Sequence, residues 1–191
     1  PERSYAFSGF AAVAEAFVDR LAHADDLTAR MQRLFDTEHR SRVFNALLHE
    51  LGRAEDRSLV EGMIEVYRTH HPNIALHADA DRALTRLRGR YELGLITDGP
   101  TKQQRAKIAA LKIETRFDQI IVTSELGDSL AKPHAAPFEW MAKRFDVVHS
   151  SCVYVADNPS KDFVAPNRLG WATVRIVRPD GIYRDEPPAH D

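Results

Sequence analysis

Residues 152–163 read Cys152-Val153-Tyr154-Val155-Ala156-Asp157-Asn158-Pro159-Ser160-Lys161-Asp162-Phe163. A run of Val and Tyr suits a strand, and the Asp-Asn-Pro that ends it suits a turn. Phe163 to Leu169 then reads as a short helix and Ala172 to Val177 as another strand, so the stretch is a strand–helix–strand unit. Asp157 and Asp162 flank the loop and could face one hard cation such as Mg2+, which takes oxygen ligands and keeps several waters. In isolation the same string serves equally well as an Asx-Pro turn capping the next helix.

Upstream the alternation continues. Ala80, Ala83, Leu84 and Leu87 share a helical face that ends at Gly89, and Tyr91 to Ile96 reads as a strand. Thr101-Lys102-Gln103-Gln104 has the form of a capping box, with Ile108 and Leu111 on the inner face of the helix it opens. Gln119 to Val122 is a strand, and Phe138, Met141, Ala142 and Phe145 mark a helix. Strands and helices alternating through short loops predict an α/β domain over residues 76–191, built on a parallel, doubly wound sheet with right-handed crossovers. Ligands of such sheets lie at the carboxyl ends of the strands.

Three polar groups stand at those ends. Thr97-Asp98-Gly99-Pro100 could receive an anionic oxygen on the Thr97 hydroxyl and the backbone N–H groups beside Gly99, or be a plain β-turn. Lys132, before Pro133, could neutralise phosphate as a compact cation, or be a solvated surface lysine. The third group is the Asp157/Asp162 loop. A threonine, a lysine and an acidic pair, each following a different parallel strand, match what phosphoryl transfer needs: an oxygen donor, a cation and a metal cradle.

Residues 1–75 read as helices alone. Phe10, Val13, Ala14, Phe17, Val18 and Leu21 form one stripe, and Leu27, Met31, Leu34 and Phe35 a second with Asp25 or Asp26 as its expected cap. Val43, Phe44, Leu47, Leu48 and Leu51 form a third, stopped by Gly52; Leu59, Val60, Met63, Ile64 and Tyr67 form a fourth, stopped around His71-Pro72. Together they predict a small helical bundle.

Composition narrows the classes. A net charge of −2 over 191 residues carries no polyelectrolyte pattern, so neither nucleic acid nor an anionic membrane is an expected partner. No stretch approaches the ~20 apolar residues of a bilayer span. Pro1 to Tyr5 lacks the apolar run of a secretory leader, and one cysteine, Cys152, fits a reducing compartment; the expected location is the cytoplasm. The nine histidines include no paired ligand set such as H-E-x-x-H, and His70, His71 and His77 read as solvated or helix-terminal. The chain is expected to be a monomer or homodimer.

These residues, taken together, resemble the haloacid dehalogenase (HAD) superfamily. Its second motif, a strand ending in Thr or Ser, is matched by Leu95-Ile96-Thr97-Asp98-Gly99; its third, a Lys often followed by Pro, by Lys132-Pro133; its fourth, an acidic pair after a strand, by Val155 to Phe163. The leading bundle resembles the cap of one branch of the family, which closes over the site and selects substrate. The resemblance implies a Rossmann-like core with an N-terminal cap, and a Mg2+-dependent phosphomonoesterase acting on a small organic phosphate through an aspartyl-phosphate intermediate. Thr97, with Asp98 and Gly99, would then hold the phosphoryl group and Lys132 would neutralise it. Asp157 would bind Mg2+, Asp162 would support the metal or orient Lys132, and Asn158 would assist. Arg42, His39 and Tyr67 are candidates for substrate selection.

Two departures stand out. Ala156 occupies a position that is often Gly, and no Asp-x-Asp, the family's first motif and source of its nucleophile, precedes the bundle. The one such string, Asp79-Ala80-Asp81, opens a helix and reads as a cap. Pro1 to Tyr5 resembles the stretch that follows the first motif, and Pro187 to Asp191 reads as an unfinished loop, so the nucleophile is expected upstream of Pro1. The 191 residues alone are then expected to bind phosphate and metal without turnover. Two alternatives stand beside this reading: a haloacid dehalogenase, which needs no Mg2+, and a non-catalytic phosphate- or metal-binding or interaction module.

Overall fold

The four apolar stripes of the N-terminal segment become four helices: α1 (Glu2–Leu21), α2 (Ala24–Asp36), α3 (Val43–Glu50) and α4 (Arg57–Thr69). The computed structural model describes residues 2–21, 24–37, 40–54, 56–127 and 129–187, and divides into two compact units, Pro1–Ala75 and Leu76–Asp191. Pro1, His39 and residues 188–191, all of which entered the reading above, lie outside the described residues. Among the described residues, no helix is long and apolar enough to cross a membrane.

Within the first unit the stripes bury one another. Phe10, Val13, Phe17, Leu27, Met31, Leu47, Leu48, Leu59 and Met63 make the core. The Phe10 ring sits 5.8 Å from Phe35, 6.2 Å from Phe44 and 5.8 Å from Tyr67, so Tyr67 takes part in the bundle's own packing. Gly9 makes room for it: a Cβ there would come within 2.5 Å of the Tyr67 ring. α3 ends as its sequence requires, with Gly52 at φ +69°. α2 differs from expectation. It starts at Ala24, so Asp25 and Asp26 lie in its first turn, where they meet the positive end of the helix dipole, and Asp26 pairs with Arg30 at 2.8 Å. His70 occupies the C-cap of α4, its Nδ1 2.7 Å from the Tyr67 carbonyl oxygen.

The second unit alternates α5 (Ala78–Leu87), β1 (Gly94–Thr97), α6 (Thr101–Ala110), β2 (Gln119–Val122), α7 (Ala136–Arg144), β3 (Val153–Ala156), α8 (Val164–Arg168) and β4 (Ala172–Arg175). All pairing is parallel, β1 with β2 and β3 with β4. The architecture is α/β, as expected, but the sheet is two two-stranded ladders that do not hydrogen-bond to each other among the described residues. β1 begins later than the Tyr91 start its composition suggests. Its ladder opens at Gly94, where a Cβ would approach the Met141 sulfur to 2.6 Å.

The β1–β2 ladder is covered on both sides. Ile96 and Ile121 pack with Phe138, Met141 and Ala142 of α7, while Ile120 and Val122 pack with Ile108 and Ile113 beyond it. Among the described residues, β3–β4 is covered on one side: Tyr154 joins the α7 cluster with Trp171, whereas Val153 and Val155 are 61% and 56% exposed.

Candidate functional site

The carboxyl ends of β1, β2 and β3 gather the polar residues singled out above. Thr97 closes β1 and is followed by a turn in which Gly99 adopts φ +126°. That value lies in a region that side-chain-bearing residues rarely enter. The Thr97 hydroxyl donates to Gln104 Oε1 at 2.8 Å. This replaces the expected capping box: α6 has no side-chain N-cap bond, Thr101 Oγ1 lies 2.9 Å from Ser124 Oγ, and Gln104 turns inward and is buried.

Asp98 joins the loops. Its Oδ1 accepts from Thr123 Oγ1 at 3.0 Å and from the Lys132 backbone N–H at 3.2 Å, and its Oδ2 accepts from Lys161 Nζ at 2.8 Å. Burial resists ionisation of this carboxyl. The Lys161 bond, the Lys132 charge and the Lys132 N–H outweigh that effect and hold its pKa below the usual carboxylate range. Asp98 therefore ties the end of β1 to the segment after β2 and to the loop after β3.

Lys132 precedes a cis proline and runs back beneath these loops, its side chain only 9% exposed. Its ammonium lies 2.7 Å from Asp162 Oδ1 and donates to the Tyr154 hydroxyl at 3.1 Å. Burial works against the charge, yet the Tyr154 and Asp162 oxygens prevail and hold its pKa above the ordinary lysine value. An ammonium has three donors, so these two contacts aim the side chain and leave one N–H for a further acceptor.

The loop after β3 separates its two acids. Asp162 is buried: Oδ1 meets Lys132, and Oδ2 accepts from the Asn158 backbone N–H at 3.1 Å. Asn158 is buried as well, its Oδ1 accepting from the Ser160 N–H at 3.0 Å and from the Ser160 hydroxyl at 2.6 Å. Asp157 remains exposed at the strand end. Crowding by surrounding atoms and the nearby Asp162 carboxylate push its carboxyl above the usual range. Among the described residues, no group of three or more His, Cys, Asp or Glu side chains could hold a metal ion.

Thus Asp98, Lys132 and Asp162 are brought into one connected network, Thr97 and Gly99 sit at its edge, and Asn158 orders the loop that carries Asp157. Four members escaped the sequence reading: Gln104, Thr123, Tyr154 and Lys161. Tyr154 turns inward on β3 between the exposed Val153 and Val155, and a half-buried tyrosine hydroxyl calls for a partner, so alternation along the strand was the signal that could have found it. Thr123 follows β2 as Thr97 closes β1; Lys161 lies inside the Asp157–Asp162 string. Asp79 and Asp81 do not cap α5, whose N-cap, His77, makes no side-chain bond. Asp79 pairs with Arg178 at 2.9 Å and Asp81 with Arg116 at 2.8 Å.

Comparison with known proteins bears on these residues. A family model described as haloacid dehalogenase-like hydrolase matches residues 26–176. The glyceraldehyde 3-phosphate phosphatase of Methanopyrus kandleri is 32% identical over 152 residues, 78% of this chain and 64% of that protein. The phosphoserine phosphatase of Thermus thermophilus is 31% identical over 151 residues, 78% of this chain and 58% of that protein. The chain therefore spans less than two thirds of these relatives' length. The L-2-haloacid dehalogenase of Xanthobacter autotrophicus superposes with a TM-score of 0.55 at 18% identity, covering 92% of this chain and 64% of that one. Such a likeness speaks for the fold alone.

Proposed function

The chain belongs to the haloacid dehalogenase-like hydrolases, and from that premise we propose that it carries the phosphate-handling residues of a Mg2+-dependent phosphomonoesterase acting on a small organic phosphate. The observation that supports this reading is the buried Lys132 ammonium, held by Asp162 and Tyr154 with one donor to spare, at the same strand ends as Thr97. A cation fixed in advance in a half-buried setting stabilises charge on a phosphoryl oxygen without reorganising when that charge develops. In this reading Lys132 and Thr97 bind the phosphoryl oxygens, while Asp98 holds the Lys132 backbone and the loops around it. Of the two roles the resemblance allows Asp162, its contacts favour orienting Lys132, because both its oxygens are engaged.

Asp157 suits a divalent cation. Its carboxyl stands exposed at the strand end beside the Asp162 carboxylate, and Mg2+ is commonly held by one or two carboxylates, with waters and substrate phosphate oxygens completing its shell. Bound there, Mg2+ would neutralise charge on the phosphoryl oxygens. The attacking carboxylate is assigned to a residue outside the described ones, since Asp79 and Asp81 are committed to Arg178 and Arg116. Residues 1–75 are assigned the role of a substrate-selecting cap. The relatives named above support a small phosphate ester as substrate, and which ester is set elsewhere than in the phosphate-binding residues.

The test uses the longest natural form of the protein and a generic aryl phosphate. Lys132→Ala and Asp157→Asn should each lower kcat/KM by about 10²–10³-fold, and a chelator should stop turnover. Unchanged, metal-independent turnover in either variant overturns the assignment. Binding of phosphate and Mg2+ with no turnover would place the chain among non-catalytic binding modules. Hydrolysis of a 2-haloacid that survives chelation would make it a dehalogenase.

A further inference from the structure

Behind the turn that closes β1 lies a buried amide that the proposed function does not use. Gln104 stands in the first turn of α6, is 8% exposed, and places Oε1 2.8 Å from the Thr97 hydroxyl. Its Nε2 lies under Gly99, where a Cβ would approach it to 2.7 Å, so the turn's glycine leaves the space the amide fills. We infer that Gln104 is a positioning residue whose amide, by the end it presents to Thr97, sets whether the Thr97 hydroxyl can donate to a phosphoryl oxygen. The inference rests on the reading that Thr97 meets phosphate.

The reasoning is a count of hydrogens. A hydroxyl has one proton and two lone pairs. While Oε1 faces it, that proton is spent on Gln104, and only lone pairs remain for an anionic oxygen, which they repel. Turning the amide over about its last side-chain torsion, a soft one, exchanges Oε1 for Nε2 with little change of volume. Nε2 then donates to Thr97 Oγ1, and the hydroxyl proton is released toward the phosphoryl oxygen. Glutamate at 104 would lack the donor end. Methionine would fill the space but hold the hydroxyl in neither state.

The test is binding of inorganic phosphate with Mg2+, followed by titration calorimetry on the chain as it stands, so that it does not depend on a nucleophile. Gln104→Glu, which keeps the acceptor end and lacks the donor, should weaken phosphate more when Thr97 is present than in a Thr97→Val background, by about 3–10-fold, the worth of one ordinary hydrogen bond. Gln104→Met, which leaves the hydroxyl proton free, should bind phosphate close to the wild-type affinity. Equal losses for Gln104→Glu in both backgrounds, or the same loss in Gln104→Met, overturn the inference while leaving the phosphate site standing. An NMR titration of the unaltered protein needs no variant: the Gln104 side-chain amide protons should shift on adding phosphate, and the shift should vanish in Thr97→Val. Amide signals that ignore phosphate overturn the inference. A wild-type chain that binds no phosphate overturns both this inference and the reading beneath it.

Discussion

Asp157 and Asp162 lie in one loop, and their surroundings differ sharply. Asp162 is enclosed with the Lys132 ammonium and the Asn158 N–H, whereas Asp157 stands at the exposed strand end with its carboxyl pKa raised, by local burial first and by Asp162 second. A carboxyl whose folded pKa exceeds its unfolded one binds protons more tightly in the native state. Its charge therefore costs stability above the raised pKa, and the cost fades as pH falls toward the unfolded value of about 3.9. Asp157→Asn should raise Tm at pH 7 while lowering Mg2+ affinity, and the Tm difference should close near pH 3. A lower Tm for the variant at pH 7 would contradict this sign. Asp98 is the reverse case. Its pKa is depressed, so the stability it supplies is present above the unfolded value and is lost as pH falls through the folded one. Asp98→Asn should therefore lower Tm at neutral pH, with the gap to wild type narrowing as thermal melts are taken below about pH 4. The positions of Thr97, Lys132, Asp157 and Asp162 at or beyond strand ends were legible from the strand pattern. Their hydrogen-bond partners were not, since those of Asp162 come from another loop and from its own turn.

At the scale of elements, α7 holds the site from below. Phe138 is 0% exposed, and its ring stands edge-on to Tyr154 at 5.0 Å and to Trp171 at 5.6 Å. Tyr154 in turn holds Lys132. Phe138→Ala should cost about 3–5 kcal/mol in urea unfolding and weaken phosphate binding as well, because the cavity frees Tyr154. Full stability would show that the cluster collapses onto the gap. The α-helices and strands given above each have a counterpart in the sequence reading, whereas the short 3-10 turns at Glu114–Arg116, Thr123–Glu125 and His149–Ser151 have none. α6 starts at Thr101 but without the expected capping box: Thr101 and Gln104 have the right spacing, yet Thr97 at the end of β1 engages Gln104, and Ser124, brought close by the parallel pairing of β1 with β2, engages Thr101.

Each of the two units carries its own hydrophobic core. Leu47, 0% exposed, belongs to the first. Leu47→Ala should cost that unit about 2–5 kcal/mol, and hydrogen exchange should speed up in α1 to α4 while β3 and β4 keep their protection. Equal acceleration everywhere would show that the units open as one. Periodicity and turn residues sufficed for the helical first unit, the strand–helix alternation of the second and the placing of Thr97, Lys132 and Asp157 at or beyond strand ends. Periodicity, turn chemistry and chain order are local properties, and local sterics are enough to express them. Long-range packing is what arranges the parallel strands as two ladders, joins three loops at Asp98, turns Asp162 to Lys132 and sets Gln104 against Thr97. Those outcomes depend on which distant groups packing brings within hydrogen-bonding distance, and a buried polar atom takes the partner it finds there.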